Sequence, residues 1–501
     1  MRRGLLAGRY GAAAAMVIFA LVPYLGLSAA LQPLTPAIRE QLHMSVQTMS
    51  LGLGMANAGY AVGTVLAVQF AQLLPQRRMM VLYAALLVIG SVLAASATDS
   101  AMFIGGHVLQ GLCTSLLLIA AVPPLALGFG LEKFRWTAII MNVCIFGAVA
   151  LGPVIGGIQA SAGGWRPLFW IVAGISLTAL VLSLLTFEDA PPADPEAPRD
   201  GRAIGLAAAG CVAAFYGASE LATHTFVGVH TLLPLAAGLA LIVILVVYQY
   251  RSPRPLLTIR TMITSTIPVA GIVVALAAAA ASVSATVITA AELAPHYGPL
   301  HLGLLYLPEL GGALLTAAVL GLVLKTREMH YLPLAGMAFL AAGILVFTLQ
   351  RPPTETLTLI GSGLTGIGLG AAVAPALFVA GFSLAASSLQ RVFAIVELFR
   401  AVAAFMVAPV LLYIAATVGG SPGSDGLTET GTELALWIGF GLATCGAVVA
   451  VALYALGGAR PQTPDLERFM DGDGPAWYSP RLLARVRERR ARRSFAAQEP
   501  A

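Results

Sequence analysis

The sequence predicts an all-α integral membrane protein with about fourteen transmembrane helices, and three observations support this fold class. The 501-residue chain is 58% hydrophobic and only 10% charged, whereas soluble globular proteins carry about 25% charged residues. Apolar runs of bilayer-spanning length recur along almost the whole chain, which raises its mean hydropathy to +0.87. These runs lack the polar–apolar alternation of barrel strands, so helices are the expected spanning element.

Charged residues, prolines and glycines divide the apolar runs into separate predicted spans. The fourteen spans lie at residues 12–32, 50–73, 79–97, 101–128, 136–160, 167–187, 203–223, 229–249, 264–290, 300–325, 331–350, 357–385, 390–417 and 431–457.

The distribution of basic residues predicts the orientation of these spans. With the N-terminus inside, 24 of the 28 Lys and Arg residues fall in the N-terminus, in alternate connections or in the C-terminal tail. Such an excess marks the cytoplasmic side of a membrane. We therefore expect a multi-pass protein of the plasma (inner) membrane with both termini in the cytoplasm. The N-terminus also has features of a signal peptide, whose cleavage would leave thirteen spans and spoil this asymmetry.

A proline-rich, acidic stretch at 188–201 follows the sixth span and predicts an extended linker. The chain then divides into an N-terminal six-helix bundle (1–187), a linker with an extra helix pair (188–263), a C-terminal six-helix bundle (264–457) and a basic tail (458–501). Both bundles contain a glycine-rich stretch, within the fourth and twelfth spans. Two pseudo-repeats around a central cavity are a common transporter plan.

Four glycines and a proline interrupt the fifth span in "GAVALGPVIGG", residues 147–157. Small residues allow helices to approach closely in lipid, where no hydrophobic force drives them together. Pro153 removes one backbone hydrogen bond and predicts a kink. Gly147, Gly152, Gly156 and Gly157 then form a smooth face, either for static packing or for gating movements against another helix.

This stretch, with the "GGWRPLFWI" that follows it, resembles the antiporter signature of the major facilitator superfamily. The number of spans is similar to that of the fourteen-spanner drug:proton antiporter branch. Weaker similarities are Gln110 and Gly111 in "HVLQGLCTS", the stretches "PLLTIR" and "LTGIGLGAAVAPA", and Arg400 in "LFRAVAAF". The resemblance implies a secondary active transporter that exports drugs or toxic metabolites, coupled to protons, by alternating access.

The sequence departs from the family pattern at charged positions. Of the family's cytoplasmic gate between the second and third spans, only Arg77 and Arg78 are present, and leucines occupy the acidic and first basic positions. Leu27 stands where members of the family often carry an aspartate in the first span. His107 stands at the arginine position of the fourth span. These departures leave open an uncoupled facilitator or importer of a small metabolite.

Ionisable side chains inside spans are costly, so each is a candidate for proton coupling. His107 can titrate near neutral pH, and Glu309 lies about 13 Å into the tenth span at 1.5 Å per residue. Each is either a proton carrier or a neutral group hydrogen-bonded between helices. Glu397 and Arg400 are three residues apart on one helical face, which predicts an ion pair or an anion-binding arginine.

Neutral polar residues inside the spans are candidates for the cavity wall or for contacts between helices, namely Asn57, Tyr60, Gln110 and Asn142. Because the sequence has no catalytic triad, metal cage or phosphate loop, we expect no enzyme activity, cofactor or metal, only H⁺ as coupling ion. We expect a monomer whose partners are a small amphipathic substrate and, at the seven arginines of 481–493, anionic lipid, without nucleic acid. A non-transporting sensor or assembly partner is the alternative of another class.

Overall fold

The structure is a computed structural model that describes residues 4–187, 192, 194, 196–420 and 426–488. Within these residues the chain is helical, and its only extended pairing is an isolated bridge between Ser265 and Arg481. Thirteen described helices are long and apolar enough to cross a membrane, and a further apolar helix, Leu332–Thr348, is shorter. Each of the fourteen coincides with a predicted span, so the predicted fold class is confirmed.

The fourteen helices are α1 Tyr10–Gln41, α2 Val46–Leu73, α3 Gln76–Ala95, α4 Ser100–Leu127, α5 Leu131–Ser161, α6 Arg166–Thr186, α7 Gly201–Ala222, α8 Val229–Arg251, α9 Thr266–Leu293, α10 Pro299–Val323, α11 Leu332–Thr348, α12 Glu355–Phe382, α13 Ala386–Thr417 and α14 Glu429–Gly457. A short helix, α15 (Leu466–Met470), follows in the C-terminal tail. Residues 188–191, 193 and 195 of the predicted linker and the tail beyond residue 488 lie outside the described residues.

The helices pack in two groups, α1–α6 and α9–α14, which meet along two seams. At one seam α5 lies against α10, and at the other α2 lies against α13. The helix pair α7–α8 lies beside the second seam, where α7 contacts both α2 and α13. Helix α8 packs mainly on α7, and its outer face exposes large apolar side chains to the membrane, among them Leu233 and Val243.

Three helices are irregular near the middle of the bundle. Helix α5 contains a π-helical segment at Val143–Gly147, and α9 contains another at Ser284–Ile288. Helix α10 is interrupted at Tyr306, just before Pro308. Such irregular turns free backbone groups and occur frequently at functional sites. Both π-helical segments border the central cavity described below, as does Glu309, three residues after the interruption of α10.

The two ends of the bundle differ in charge. The end with the connections between α2 and α3, α4 and α5, and α10 and α11, here called the basic end, carries Arg78, Lys133 and Lys325. The tail after α14 folds back onto this end, where Phe469 and Trp477 are buried. The sequence predicts a basic tail but not this docking. The connections around residues 43, 163, 226 and 296 lie at the opposite end.

Candidate functional site

A cavity of about 360 Å³ lies between the two helix groups, near the middle of the bundle. Three ionisable residues border it, each from a different helix: His107 of α4, Glu309 of α10 and Arg400 of α13. All three are ionisable candidates that the sequence predicts separately, without placing them together. The fold brings them into one chamber, whose remaining wall is mostly apolar and includes Phe146 of α5, Val373 of α12 and Phe405 of α13.

Glu309 is held at the start of the regular part of α10, directly after the interruption at Tyr306. Its side chain is 5% exposed, and no side chain in the described part of the chain donates a hydrogen bond to its carboxylate. The first turn of a helix stabilises negative charge through the helix dipole. A Cβ on Gly366 of α12 would lie within 3.0 Å of the Glu309 backbone, so the glycine-rich α12 lets α10 place this carboxylate at the cavity.

His107 belongs to a hydrogen-bonded chain inside the first helix group. Its Nδ1 lies 3.1 Å from Oε1 of Gln110, and Nε2 of Gln110 donates to Ser91 at 3.1 Å. Ser91 is hydrogen-bonded to Ser176 of α6 at 3.3 Å. Because Gln110 uses its amide hydrogens toward Ser91, its oxygen accepts from His107, which places the proton on Nδ1. The rings of Tyr24 and Phe103 flank the imidazole at 5.5 and 5.9 Å.

Arg400 and Glu397 form the ion pair that their spacing predicted. Nη2 of Arg400 donates to Oε2 of Glu397 at 2.7 Å and Nε donates to Oε1 at 3.1 Å, and the two side chains are 11% and 3% exposed. The hydroxyl of Tyr60 on α2 donates to the same carboxylate at 3.1 Å. Tyr60 therefore ties the charge pair to the other helix group and does not itself line the cavity.

Of the other predicted cavity residues, one lines the cavity and two are buried in contacts between side chains or helices. Asn57 borders the cavity. Gln110 is fully buried behind His107. The amide of Asn142 donates to the backbone oxygen of Gly370 at 3.0 Å, which links α5 to α12.

Sequence reasoning missed Tyr24, although it borders the cavity and its buried hydroxyl has no hydrogen-bond partner among the described residues. The only signal was a tyrosine within an apolar span, and that signal does not specify which way the side chain points.

The glycines of the fifth span contact two different helices. A Cβ on Gly152 or Gly156 would lie within 3.0 Å of atoms of α1, namely those of Ala29 and Ala30. A Cβ on Gly157 would come equally close to Pro299 and Leu300 of α10. Only the last of these positions faces the other helix group.

The neighbouring residues of this span complete the same seam. A Cβ on Gly303 of α10 would lie 2.6 Å from the backbone oxygen of Pro153, and Pro153 itself borders the cavity. A Cβ on Gly147 would be in ordinary contact, 3.5 Å from Leu310 of α10.

The two predicted gate arginines lie at the basic end. Nη2 of Arg77 donates to the backbone oxygen of Leu184 at the end of α6, at 3.2 Å. Arg78 is exposed. The Arg77–Leu184 contact stays within the first helix group.

A second, larger cavity of about 680 Å³ lies between α2, α7 and α13 toward the opposite end of the bundle. Leu53, Asn57, Phe405 and Ala408 border both cavities, so the two spaces adjoin. At its outer end His224 pairs with the buried Glu220 at 2.9 Å, and Gln47 of α2 donates to the same carboxylate at 3.0 Å. Helix α7 and the connection that follows it thus supply a wall to a space that continues the central cavity.

Comparisons with known proteins agree with this architecture. A family model of the Major Facilitator Superfamily matches residues 10–331. The uncharacterized MFS-type transporter YubD of Bacillus subtilis is 29% identical over 197 residues, which cover 37% of each chain. The multidrug resistance protein B homolog of Mycobacterium tuberculosis is 32% identical over 175 residues, covering 34% of this chain and 32% of its own. The alignments thus span about a third of these relatives' length.

Solved transporter structures share the fold over most of the chain. The human organic anion transporter MFSD10 (TETRAN) superposes with a TM-score of 0.60 at 13% identity, covering 88% of this chain and 99% of its own. A peptide transporter POT in complex with sulfate gives a TM-score of 0.62 at 15% identity, covering 90% and 96%. At this level of identity the likeness establishes the fold alone.

Proposed function

The chain belongs to the Major Facilitator Superfamily, whose model matches residues 10–331, and from that premise we propose that it exports small amphipathic organic compounds in exchange for protons. It is a membrane transporter and not an enzyme. The observation that carries the proposal is the placement of Glu309, His107 and Arg400 around one cavity.

Glu309 is suited to bind a proton and a cationic compound in turn. Its carboxylate borders the cavity without a fixed cationic partner among the described residues, and a lone charge at this depth is costly. A proton or a bound organic cation removes that cost, so each displaces the other. Exposure of the cavity to the proton-rich side then loads a proton and releases the compound, which is the exchange that an antiporter needs.

The cavity wall favours amphipathic compounds. It combines aromatic and aliphatic side chains with a few polar groups, as in sites for small organic ligands, whose volumes begin at about 300 Å³. The similarity to a protein named for multidrug resistance supports the same class of substrate. Arg400 is already neutralised by Glu397, so the carboxylate of Glu309 gives the site its preference for cations.

The orientation follows from the basic residues. We infer that the basic end faces the cytoplasm, together with both termini, and that compounds leave through the second cavity toward the opposite end. We also infer that α1–α6 and α9–α14 move as two bundles and that the monomer is the transporting unit. Arginines of the tail, among them Arg481 and Arg487, favour contact with anionic lipid headgroups.

Dye efflux from cells tests the proposal. The experiment compares the unmodified protein with Glu309→Gln for a panel of cationic and neutral dyes, with and without a protonophore. Glu355→Gln is the matched control, because Glu355 is 51% exposed and pairs with His301 at the opposite end. We expect protonophore-sensitive efflux of cationic dyes that Glu309→Gln abolishes and Glu355→Gln retains.

Other outcomes would contradict specific parts of the proposal. Efflux by Glu309→Gln at the unmodified rate would remove Glu309 from coupling. Dye movement only down the concentration gradient of the dye would favour an uncoupled facilitator. The leucines in the gate motif also favour that alternative. If neither protein moves any dye, the proposed substrate class is wrong.

A further inference from the structure

Residues 459–482, here called the tail clamp, satisfy the backbone groups of two helix ends at the basic end. The backbone N–H of Ala476 donates to the oxygen of Phe382 at the end of α12 at 2.8 Å. At the start of α9, the N–H of Thr266 donates to the oxygen of Pro480 at 2.9 Å and the N–H of Ile267 donates to Oγ of Ser479 at 3.0 Å. The last carbonyls and first amides of a helix lack partners within it, so the clamp completes both ends.

Two aromatic side chains anchor the clamp. Trp477 is 3% exposed, its Nε1 donates to Oγ of Ser383 at 2.7 Å, and its ring lies 4.3 Å from that of His330. Phe469 of α15 is fully buried, with its ring 5.1 Å from that of Phe382. Tyr478, the neighbour of Trp477, is by contrast 71% exposed.

The aromatic cluster that holds the clamp also joins the two helix groups. Phe382 of α12 lies 5.4 Å from Phe134 of α5, and Phe378 lies 6.2 Å from the same ring. Helix α15 itself packs beside α5. Separation of α5 from α12, which opening of the basic end requires, therefore splits the surface on which the clamp rests.

We propose that the tail clamp is an autoinhibitory contact that holds the basic end closed and leaves its seat on Phe382 and Ser383 when that end opens. The proposal needs the alternating movement of the two helix groups but no particular transported compound. A tail that acted as a rigid brace would instead stay on α12 whether the basic end is open or closed. An autoinhibitory clamp exposes Ser383 when the basic end opens, and its loss weakens the contact between α5 and α10. A rigid brace does neither.

The first measurement is the rate at which a maleimide labels Ser383→Cys in the full-length protein. A Cys445→Ser background removes the exposed cysteine, while Cys113, Cys144 and Cys211 are buried. We expect Trp477→Ala to raise the labelling rate at least tenfold and Tyr478→Ala to leave it unchanged. Ser479→Ala removes a single cap of α9 without opening the aromatic cluster, and we expect a rise of a few fold.

The second measurement reports whether the helix groups stay together. A Cβ on Gly321 of α10 would lie 2.8 Å from Cγ1 of Ile139 on α5, so Ile139→Cys with Gly321→Cys should form a disulfide across the seam in mild oxidant. We expect Trp477→Ala to lower the disulfide yield severalfold and Tyr478→Ala to preserve it. Faster labelling of Ser383→Cys with an unchanged disulfide yield would overturn the proposal. The tail would then shield Ser383 without keeping the two helix groups together. Unchanged labelling in both Trp477→Ala and Ser479→Ala would overturn it as well.

Discussion

The hydroxyl of Tyr60 on α2 donates a hydrogen bond of 3.1 Å to the carboxylate of Glu397 on α13, across the seam between the helix groups. Glu397 also neutralises Arg400, whose Nη2 lies 2.7 Å away. Neutral and charged donors thus share one buried carboxylate. The result is a polar contact between the groups within otherwise apolar surroundings, directly beside the central cavity.

Glu397→Gln is expected to destabilise the protein, because it leaves the Arg400 guanidinium buried without its counter-charge. Removing one partner of a buried ion pair costs about 3–5 kcal/mol. The melting temperature in detergent should fall clearly for Glu397→Gln. Glu355→Gln breaks a half-exposed pair with His301, which is worth at most about 1 kcal/mol, and should leave the melting temperature nearly unchanged. Equal melting temperatures for the two variants would show that Glu397 does not stabilise Arg400.

Gly157→Leu should stop transport without unfolding either helix group. A Cβ at this position would collide with Pro299 and Leu300 of α10, so the seam cannot close at the opposite end. Gly152→Leu instead collides with α1 inside its own group, and overpacking there costs about 1–3 kcal/mol or more. We therefore expect Gly157→Leu to lose efflux while it keeps its melting temperature, and Gly152→Leu to lose both.

The control for both variants is Gly174→Leu on α6, where a Cβ meets nothing within 4 Å. It should retain efflux and melting temperature. If Gly157→Leu transports normally, the contact between α5 and α10 does not open and close during transport.

The spans were predictable because each is a continuous apolar run, and the membrane imposes helical structure on such runs. The ionisable candidates were predictable for a related reason: a charge within an apolar run is conspicuous. What the sequence could not supply is which helix each side chain faces. Gly152 and Gly157 belong to one motif, yet the first packs on α1 and the second on α10.

The tail and the irregular turns show a further limit of sequence reasoning. The π-helical segments Val143–Gly147 and Ser284–Ile288 have no compositional signature. In the tail, Trp477 lies outside any apolar run of the sequence, and it contacts His330, Phe382 and Ser383. Those residues come from distant parts of the chain, so only the folded structure reveals that the tail has a docking surface.

Docking of the tail should weaken as the pH falls below about 6.5. Burial lowers the pKa of His330, in the connection between α10 and α11, to about 4. Its Nε2 is buried without a partner among the described residues, and its Nδ1 is 3.0 Å from the Tyr454 hydroxyl, so the docked state favours the neutral imidazole. Between pH 4 and 6.5 the undocked state binds more protons than the docked state. The free energy of docking therefore becomes less favourable on acidification, by up to about 1.4 kcal/mol per pH unit.

Maleimide labelling of Ser383→Cys, corrected for the thiolate fraction with a free thiol standard, measures this effect. We expect the corrected rate to rise from pH 7 to pH 5, and His330→Gln to remove the dependence. A rise that persists in His330→Gln would assign the titration to another group.

Ala408→Trp should block passage between the two cavities. Ala408 borders both of them, together with Asn57 and Phe405. An indole at this position fills the junction between the cavities and leaves Glu309 accessible within the central cavity. Binding of a dye to the purified protein should persist within a few fold, whereas efflux should fall at least tenfold. Val212→Trp on the membrane-facing side of α7, where Val212 is 47% exposed, adds the same bulk outside both cavities and should change neither. Normal efflux by Ala408→Trp would mean that compounds leave by a route other than the space beside α7, and α7 would then have no part in the transport path.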